Sequence, residues 1–192
     1  MTGLFMLTLR NPLEAWRLLQ ALPWGRAERW SLILVTAALA AILSWIGAQL
    51  LPVSAEAGGV LAALSQAPVA MAGVQVGSAL LGAFLLAEVG RIFGGTGRFL
   101  DALLAVGWVE AVMVALQALQ LVATVVLPPL GALIGIATLM LAAYLIVAMT
   151  MAVHGFRNPL LVVLGIIGTV MLTSLLMSML AATLGLLPAV PG

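Results

Sequence analysis

The chain of 192 residues contains no cysteine and no lysine, and few of its residues are charged. Without cysteine it can form no disulfide, hold no iron–sulfur cluster through thiolates and perform no thiol chemistry. All seven basic residues are arginine, and the six acidic residues leave a formal net charge of +1. So small a net charge provides no general attraction to nucleic acid, and we expect no nucleic-acid partner.

Charged residues make up only 7% of the chain, whereas 65% of it is hydrophobic and its mean hydropathy is +1.29. A soluble domain carries roughly 25% charged residues, because its surface must face water. This chain has too little polar surface to cover a water-soluble globule. The composition therefore predicts an integral membrane protein.

Charges and Pro/Gly breaks divide the chain into five apolar runs, each long enough to cross a bilayer as a helix of about 20 residues. The runs cover residues 30–51, 69–87, 103–127, 130–153 and 160–187. None of them alternates apolar and polar residues as barrel strands do, and a helix satisfies its own backbone hydrogen bonds in lipid. We therefore predict an all-α fold, a polytopic membrane bundle of five transmembrane helices.

The arginines predict the orientation of this bundle. Four of them precede the first run, two lie between the second and third runs, and one lies between the fourth and fifth. In a five-span arrangement all of these positions fall on one side of the membrane. Since basic residues are retained on the cytoplasmic side, we expect the N-terminus to be cytoplasmic and the C-terminus to be outside.

A short amphipathic helix is predicted before the first span, in the segment NPLEAWRLLQALPWG at residues 11–25. Asn11 suits the N-cap, Pro12 the first helical position and Glu14 the reciprocal capping position. One face would carry the apolar residues Ala15, Leu18, Leu19 and Leu22, which suits a helix in the cytoplasmic headgroup layer. This helix can serve as a docking surface or only as an anchor for the first span. We accordingly divide the chain into a cytoplasmic segment, 1–29, and a membrane domain, 30–192.

The stretch EVGRIFGGTGRFLDA, residues 88–102, has the composition of a phosphate-binding loop but not its spacing. Thr96 stands where a P-loop needs lysine, and Leu100 stands where a dinucleotide fingerprint needs its third glycine. We therefore expect no nucleotide and no other cofactor. Gly94, Gly95 and Gly97 instead predict a tight cytoplasmic turn, whose arginines can also hold a lipid phosphate.

Several polar residues lie within or beside the predicted spans. They are Glu88, Arg91, Arg98, Glu110, Gln117, His154 and Arg157. Glu110 is the deepest carboxylate, and Gln117 lies seven residues further on the same helix face. Because a buried charge needs a partner, we expect Glu110 to approach Arg91, Arg98, His154 or Arg157. Glu88 can pair locally with Arg91.

Three interpretations of this polar set stay open: a structural network that fixes the order of the helices, an ion or proton path, and a contact to a partner or lipid. A metal site is not expected, because there is no second histidine and no H-E-x-x-H motif. Two GxxxG pairs, Gly73/Gly77 and Gly131/Gly135, are expected to serve packing within the bundle rather than dimerisation.

Three stretches resemble the Yip family of five-span membrane proteins, first known as Rab-GTPase-interacting proteins. GRIFGGTGRFLDALLAVGW is similar to the family's connection between its second and third spans, AVHGFRNPLLVVLGIIG to the turn before the last span, and LRNPLEAWRLL to the opening of short bacterial members. The resemblance implies five spans with the N-terminus inside. The chain lacks the long N-terminal region with an acidic-aromatic motif that is implicated in GTPase binding, so it carries no expectation of Rab binding.

The short format resembles bacterial members, which implies the cytoplasmic membrane of a bacterium. No nucleophile and base stand together in the sequence, so we expect no enzymatic activity. The favoured function is a membrane-organising or protein-interaction component, whose partners are the lipid bilayer and either another membrane protein or further copies of the chain. The alternative is a small ion or solute transporter or channel with a polar path at Glu110 and Gln117.

Overall fold

The computed structural model describes residues 2–51, 64 and 66–183, and this part of the chain is helical with short connections. We number its seven helices in chain order: α1 Thr2–Arg10, α2 Pro12–Ala21, α3 Arg26–Leu50, α4 Pro68–Ile92, α5 Phe99–Val126, α6 Pro128–His154 and α7 Pro159–Thr183. Most of the segment predicted to link the first two spans lies outside the described residues. The end of the fifth run, residues 184–187, lies wholly outside them.

Helices α3 to α7 are each long and apolar enough to cross a membrane, which confirms the five predicted spans and the all-α fold. Proline begins α4, α6 and α7, where its missing N–H would have no helical partner anyway. Leu127 separates α5 from α6, as the Pro128–Pro129 pair predicts. The second span is longer than predicted, because α4 continues through Glu88 and Arg91 to Ile92.

Helix α5 lies at the centre of the bundle and contacts α3, α4 and α6. One apolar core joins Leu104 and Trp108 of α5 to Leu145 and Met149 of α6. A second core joins Leu103 of α5 to α3 and to the alanine face of α4, formed by Ala79, Ala83 and Ala87. Helix α7 lies at the outside, against α6 and α4.

The N-terminal segment forms two helices where the sequence predicts one. Asn11 ends α1 and caps α2 as predicted, since its side chain accepts a hydrogen bond from the Glu14 N–H at 3.2 Å and donates one to the Glu14 carboxylate at 3.1 Å. Helix α2 ends at Ala21, so Pro23 lies beyond its end as the sequence predicts. Helix α1 is not predicted, because residues 2–10 carry no charge before Arg10 and no capping box.

Both short helices pack onto the bundle. Trp16 and Leu19 of α2 are buried in the core shared by α5 and α6. On the predicted apolar face of α2, Ala15 and Leu19 are buried against the bundle, while Leu18 and Leu22 are exposed. In α1, the buried Thr8 hydroxyl accepts a hydrogen bond from the Trp108 indole of α5 at 2.9 Å.

The two GxxxG pairs have opposite surroundings. A side chain at Gly131 would strike Thr124, and one at Gly135 would strike Gln120, so this pair lets α6 approach α5 closely. Packing within the bundle is confirmed for this pair. The same prediction is wrong for Gly73 and Gly77, which face outward: no atom of the described residues lies within 4 Å of a Cβ built at either position.

Candidate functional site

The glycine turn lies at one end of the bundle, together with Arg26, Arg29, Arg91, Arg98 and Arg157, and we call this the arginine end. Helix α4 ends there in a Schellman motif, in which Gly95 N–H donates to Gly90 C=O at 2.9 Å and Gly94 N–H to Arg91 C=O at 3.0 Å. Gly94 has φ 84°, a left-handed conformation that glycine adopts without strain. The predicted turn at Gly94, Gly95 and Gly97 is therefore present.

His154, the last residue of α6, is only 3% exposed and lies inside this turn. Its Nδ1 accepts a hydrogen bond from Gly97 N–H at 3.2 Å, and its Nε2 lies 2.8 Å from the Leu86 carbonyl oxygen. Since Nδ1 accepts, the proton is on Nε2, and the imidazole is neutral and donates to Leu86. The ring also stacks on Phe156 at a centroid distance of 5.3 Å.

Three glycines make room for this imidazole. A Cβ at Gly90 or Gly95 would overlap the ring, and one at Gly97 would lie 2.5 Å from Val153. The turn is thus a socket for a histidine from another helix. Sequence reasoning found the turn and the histidine separately; Gly90, four residues before Gly94, was the signal for a longer glycine face.

Helices α3 and α5 are joined at the same end by an ion pair that the sequence does not reveal. The Arg29 guanidinium donates to the Asp101 carboxylate at 2.9 Å and to the Leu100 carbonyl at 2.7 Å. Both side chains are mostly shielded from solvent, so the bond is worth more than a surface pair. The predicted Glu88–Arg91 pair is also present, at 3.1 Å, but it is exposed and local.

The predicted polar set does not form one network. Gln117 donates to the Ser44 hydroxyl of α3 at 3.1 Å and more distantly to the Ala40 carbonyl. Glu110 lies on the same face of α5 but has no hydrogen bond or ion pair to any residue within 2–51, 64 and 66–183, so the structure joins it to none of its predicted partners. His154 contacts the glycine turn instead, and the exposed Arg157 makes no hydrogen bond or ion pair with Glu110.

Helices α3 and α5 run parallel with their first residues side by side. Gly107 packs against Leu32 and Ile33, and Gln117 reaches Ser44. Glu110, three residues after Gly107 and seven before Gln117, is therefore on the α3-facing side of α5. In the described part of the chain, no three histidine, aspartate or glutamate side chains converge to hold a metal ion.

Comparison with known proteins identifies the family. The model of the Yip1 domain matches residues 6–181, which begins within α1 and ends within α7. Neither the curated proteins nor the solved structures contain a match to the chain. Since the family match covers nearly the whole chain and five helices can span a membrane, this is an integral membrane protein that belongs to the Yip family.

Proposed function

We propose that the protein is a non-catalytic component of a bacterial cytoplasmic membrane that organises the membrane or binds another protein. Its arginine end faces the cytoplasm, with the N-terminus inside and the C-terminus outside. The distribution of the arginines supports this orientation, because in a five-span chain all of them fall on that side.

The observation that carries the proposal is that long-range contacts join the helices at the arginine end. His154 joins the turn after α4 to the end of α6, and Arg29 joins α3 to α5. Both contacts connect segments more than 50 residues apart, as does the Thr8–Trp108 bond between α1 and α5. A surface held in one arrangement suits recognition, because little conformational entropy is lost when a partner binds.

The turn also presents side chains that a partner can reach. Phe93, at the end of α4, is 66% exposed, and the neighbouring Arg91 is exposed as well. Aromatic residues and arginine are enriched in the contacts that dominate protein interfaces. The turn between α4 and α5 is therefore the proposed contact.

The test is the mass of the intact assembly purified from native membranes in mild detergent, measured for the wild type and two variants. Phe93→Ser alters the turn, and Leu133→Ser alters a residue of α6 with nearly the same exposure, 65%, away from the arginine end. We expect a stoichiometric complex in the wild type and in Leu133→Ser that is lost in Phe93→Ser. A monomer or homo-oligomer of unchanged mass in all three proteins would reject the turn as a partner contact.

A transporter is the second candidate, and the Glu110 carboxylate of α5, which has no hydrogen bond or ion pair within the described part of the chain, favours it. A carboxylate within a span is costly unless it is used or satisfied, and such groups commonly mark ion and proton paths. The test is proton and cation flux into liposomes containing the full chain. Flux that Glu110→Gln abolishes and Glu88→Gln leaves intact would favour transport over the proposed interaction role.

A further inference from the structure

We infer that the cleft between the first turns of α3 and α5 binds the phosphate group of an anionic membrane lipid. The inference goes beyond the proposed function, because it concerns the cleft where the glycine turn meets α5 rather than the exposed Phe93, and it needs no protein partner. A cavity of about 330 Å³ opens there, lined by Trp24, Arg26, Arg29, Arg98 and Asp101. A second cavity, of about 430 Å³, adjoins it and shares Arg98.

The cleft carries uncompensated positive charge. Three arginines and one aspartate line the first cavity, which leaves a net charge of +2. Asp101 is engaged by Arg29, and in the second cavity Glu88 is engaged by Arg91. The side chains of Arg26 and Arg98 have no hydrogen bond or ion pair to any residue that the structure describes, so both guanidinium groups are available to an anion.

The start of α5 adds backbone donors to the same cleft. Arg98 is the N-cap of α5, and no side chain caps this helix. The N–H groups of Phe99 and Leu100 accordingly lack acceptors within the described chain. At the start of α3, by contrast, the Glu28 carboxylate folds back against Gly25. The anion would therefore sit at the α5 end of the cleft, where the positive pole of the helix is free.

Trp24 lines the same cavity. It is partly buried against the core that α5 and α6 share, and its indole N–H is shielded from solvent. Trp24 therefore forms a wall of the cleft, while the arginines and the first N–H groups of α5 supply the donors for an anion.

The depth of the cleft indicates the source of the phosphate. It lies where two membrane spans begin, which is the depth of lipid head groups. Phe99 and Leu100 form an apolar wall beside the arginines, and Phe99 packs against Trp30 at a ring-centroid distance of 6.4 Å. Hydrogen-bond donors for a phosphate beside an apolar wall match a phospholipid better than free phosphate, because the phosphate of a phospholipid is attached to a glycerol and acyl chains.

Lipid adducts on the full-length protein test this inference. The protein is purified in mild detergent, titrated with phosphatidic acid, phosphatidylglycerol or phosphatidylcholine of identical acyl chains, and examined by native mass spectrometry. We expect one tightly held anionic lipid per chain and no comparable phosphatidylcholine adduct. Arg98→Gln should weaken the anionic adduct about fivefold, and Arg26→Gln/Arg98→Gln about 25-fold, the factor that about 1 kcal/mol per arginine gives.

Arg157→Gln is the matched control, because Arg157 lies at the same end but does not line either cavity. It should leave the adduct unchanged; an equal loss would show attraction by charge alone and overturn the site. Equal binding of phosphatidylcholine would overturn it as well. A further titration with inorganic phosphate separates the sources: binding of phosphate without any lipid adduct would reject the lipid.

Intact folding of each variant is checked by helix content and by its elution volume from a sizing column. A protein partner plays no part in this readout. Loss of the lipid adduct in Arg98→Gln therefore leaves the proposed function untouched, and loss of a partner in Phe93→Ser leaves the lipid site untouched.

Discussion

Helices α5 and α7 look alike in hydropathy but occupy opposite positions in the bundle. Their most apolar stretches have mean hydropathies of 2.0 and 2.3, yet 44% of that stretch is buried in α5 and only 6% in α7. The more apolar helix is the one that the rest of the described chain leaves exposed. Hydropathy therefore measures how well a helix suits the membrane and does not indicate how much protein surrounds it.

The difference lies in the residues that interrupt each helix. Between residues 101 and 120, α5 contains one aspartate, one glutamate and two glutamines, whereas residues 159–176 of α7 contain no charge and no amide, although they contain two glycines. Polar side chains form hydrogen bonds between neighbouring helices, as Gln117 does with Ser44. A central helix is marked by such interruptions rather than by the length of its apolar run.

The largest loss of stability is expected where α6 packs against α5. Gly131→Val should destabilise the fold by about 3 kcal/mol, because its side chain would meet the Thr124 backbone and force α6 away. Gly73→Val, at the outward-facing pair, should change stability by less than about 0.5 kcal/mol. Unfolding titrations in mixed detergent–SDS micelles measure both. Equal losses would mean that the outward glycines also contact protein in the membrane.

Removal of the His154 ring should have the next largest effect. His154→Ala empties the glycine socket and leaves the buried Gly97 N–H without its acceptor, which together should cost about 2–3 kcal/mol. The exposed Arg157→Ala, three residues further on, serves as the control and should be nearly neutral. The same unfolding titration applies, and a neutral His154→Ala would refute the socket as a structural joint.

A matched pair of leucines tests the contrast between the central and outer helices directly. Leu104 of α5 is fully buried, while Leu164 of α7 is 57% exposed. Leu104→Ala should cost about 2 kcal/mol through lost packing, and Leu164→Ala should cost little, because lipid replaces the lost contacts. Comparable losses at the two sites, measured by the same titration, would indicate that α7 is covered by protein in the native assembly.

The sequence predicted what depends on neighbouring residues and missed what depends on distant ones. The five spans, the Asn11 cap and the glycine turn follow from local composition, and all are present. The Arg29–Asp101 and Thr8–Trp108 contacts join residues 72 and 100 positions apart, and periodicity does not tell which helix lies beside which. Trp108 was the available signal, because a buried indole N–H usually finds an acceptor.

The smallest loss of stability is expected at the Gln117–Ser44 contact between α3 and α5. Gln117→Leu removes its bond to Ser44 and should cost about 0.6 kcal/mol, since polar bonds between spans contribute little on average. Because leucine also changes packing, the Ser44→Ala single variant and the Gln117→Leu/Ser44→Ala double variant complete a double-mutant cycle that isolates the bond. A coupling energy indistinguishable from zero would leave the packing of Gly107 against Leu32 and Ile33, with the Arg29–Asp101 pair, as what holds these two helices in register. A coupling well above 1 kcal/mol would instead make the Gln117–Ser44 bond a principal determinant of the position of α5, and hence of where Glu110 lies against α3.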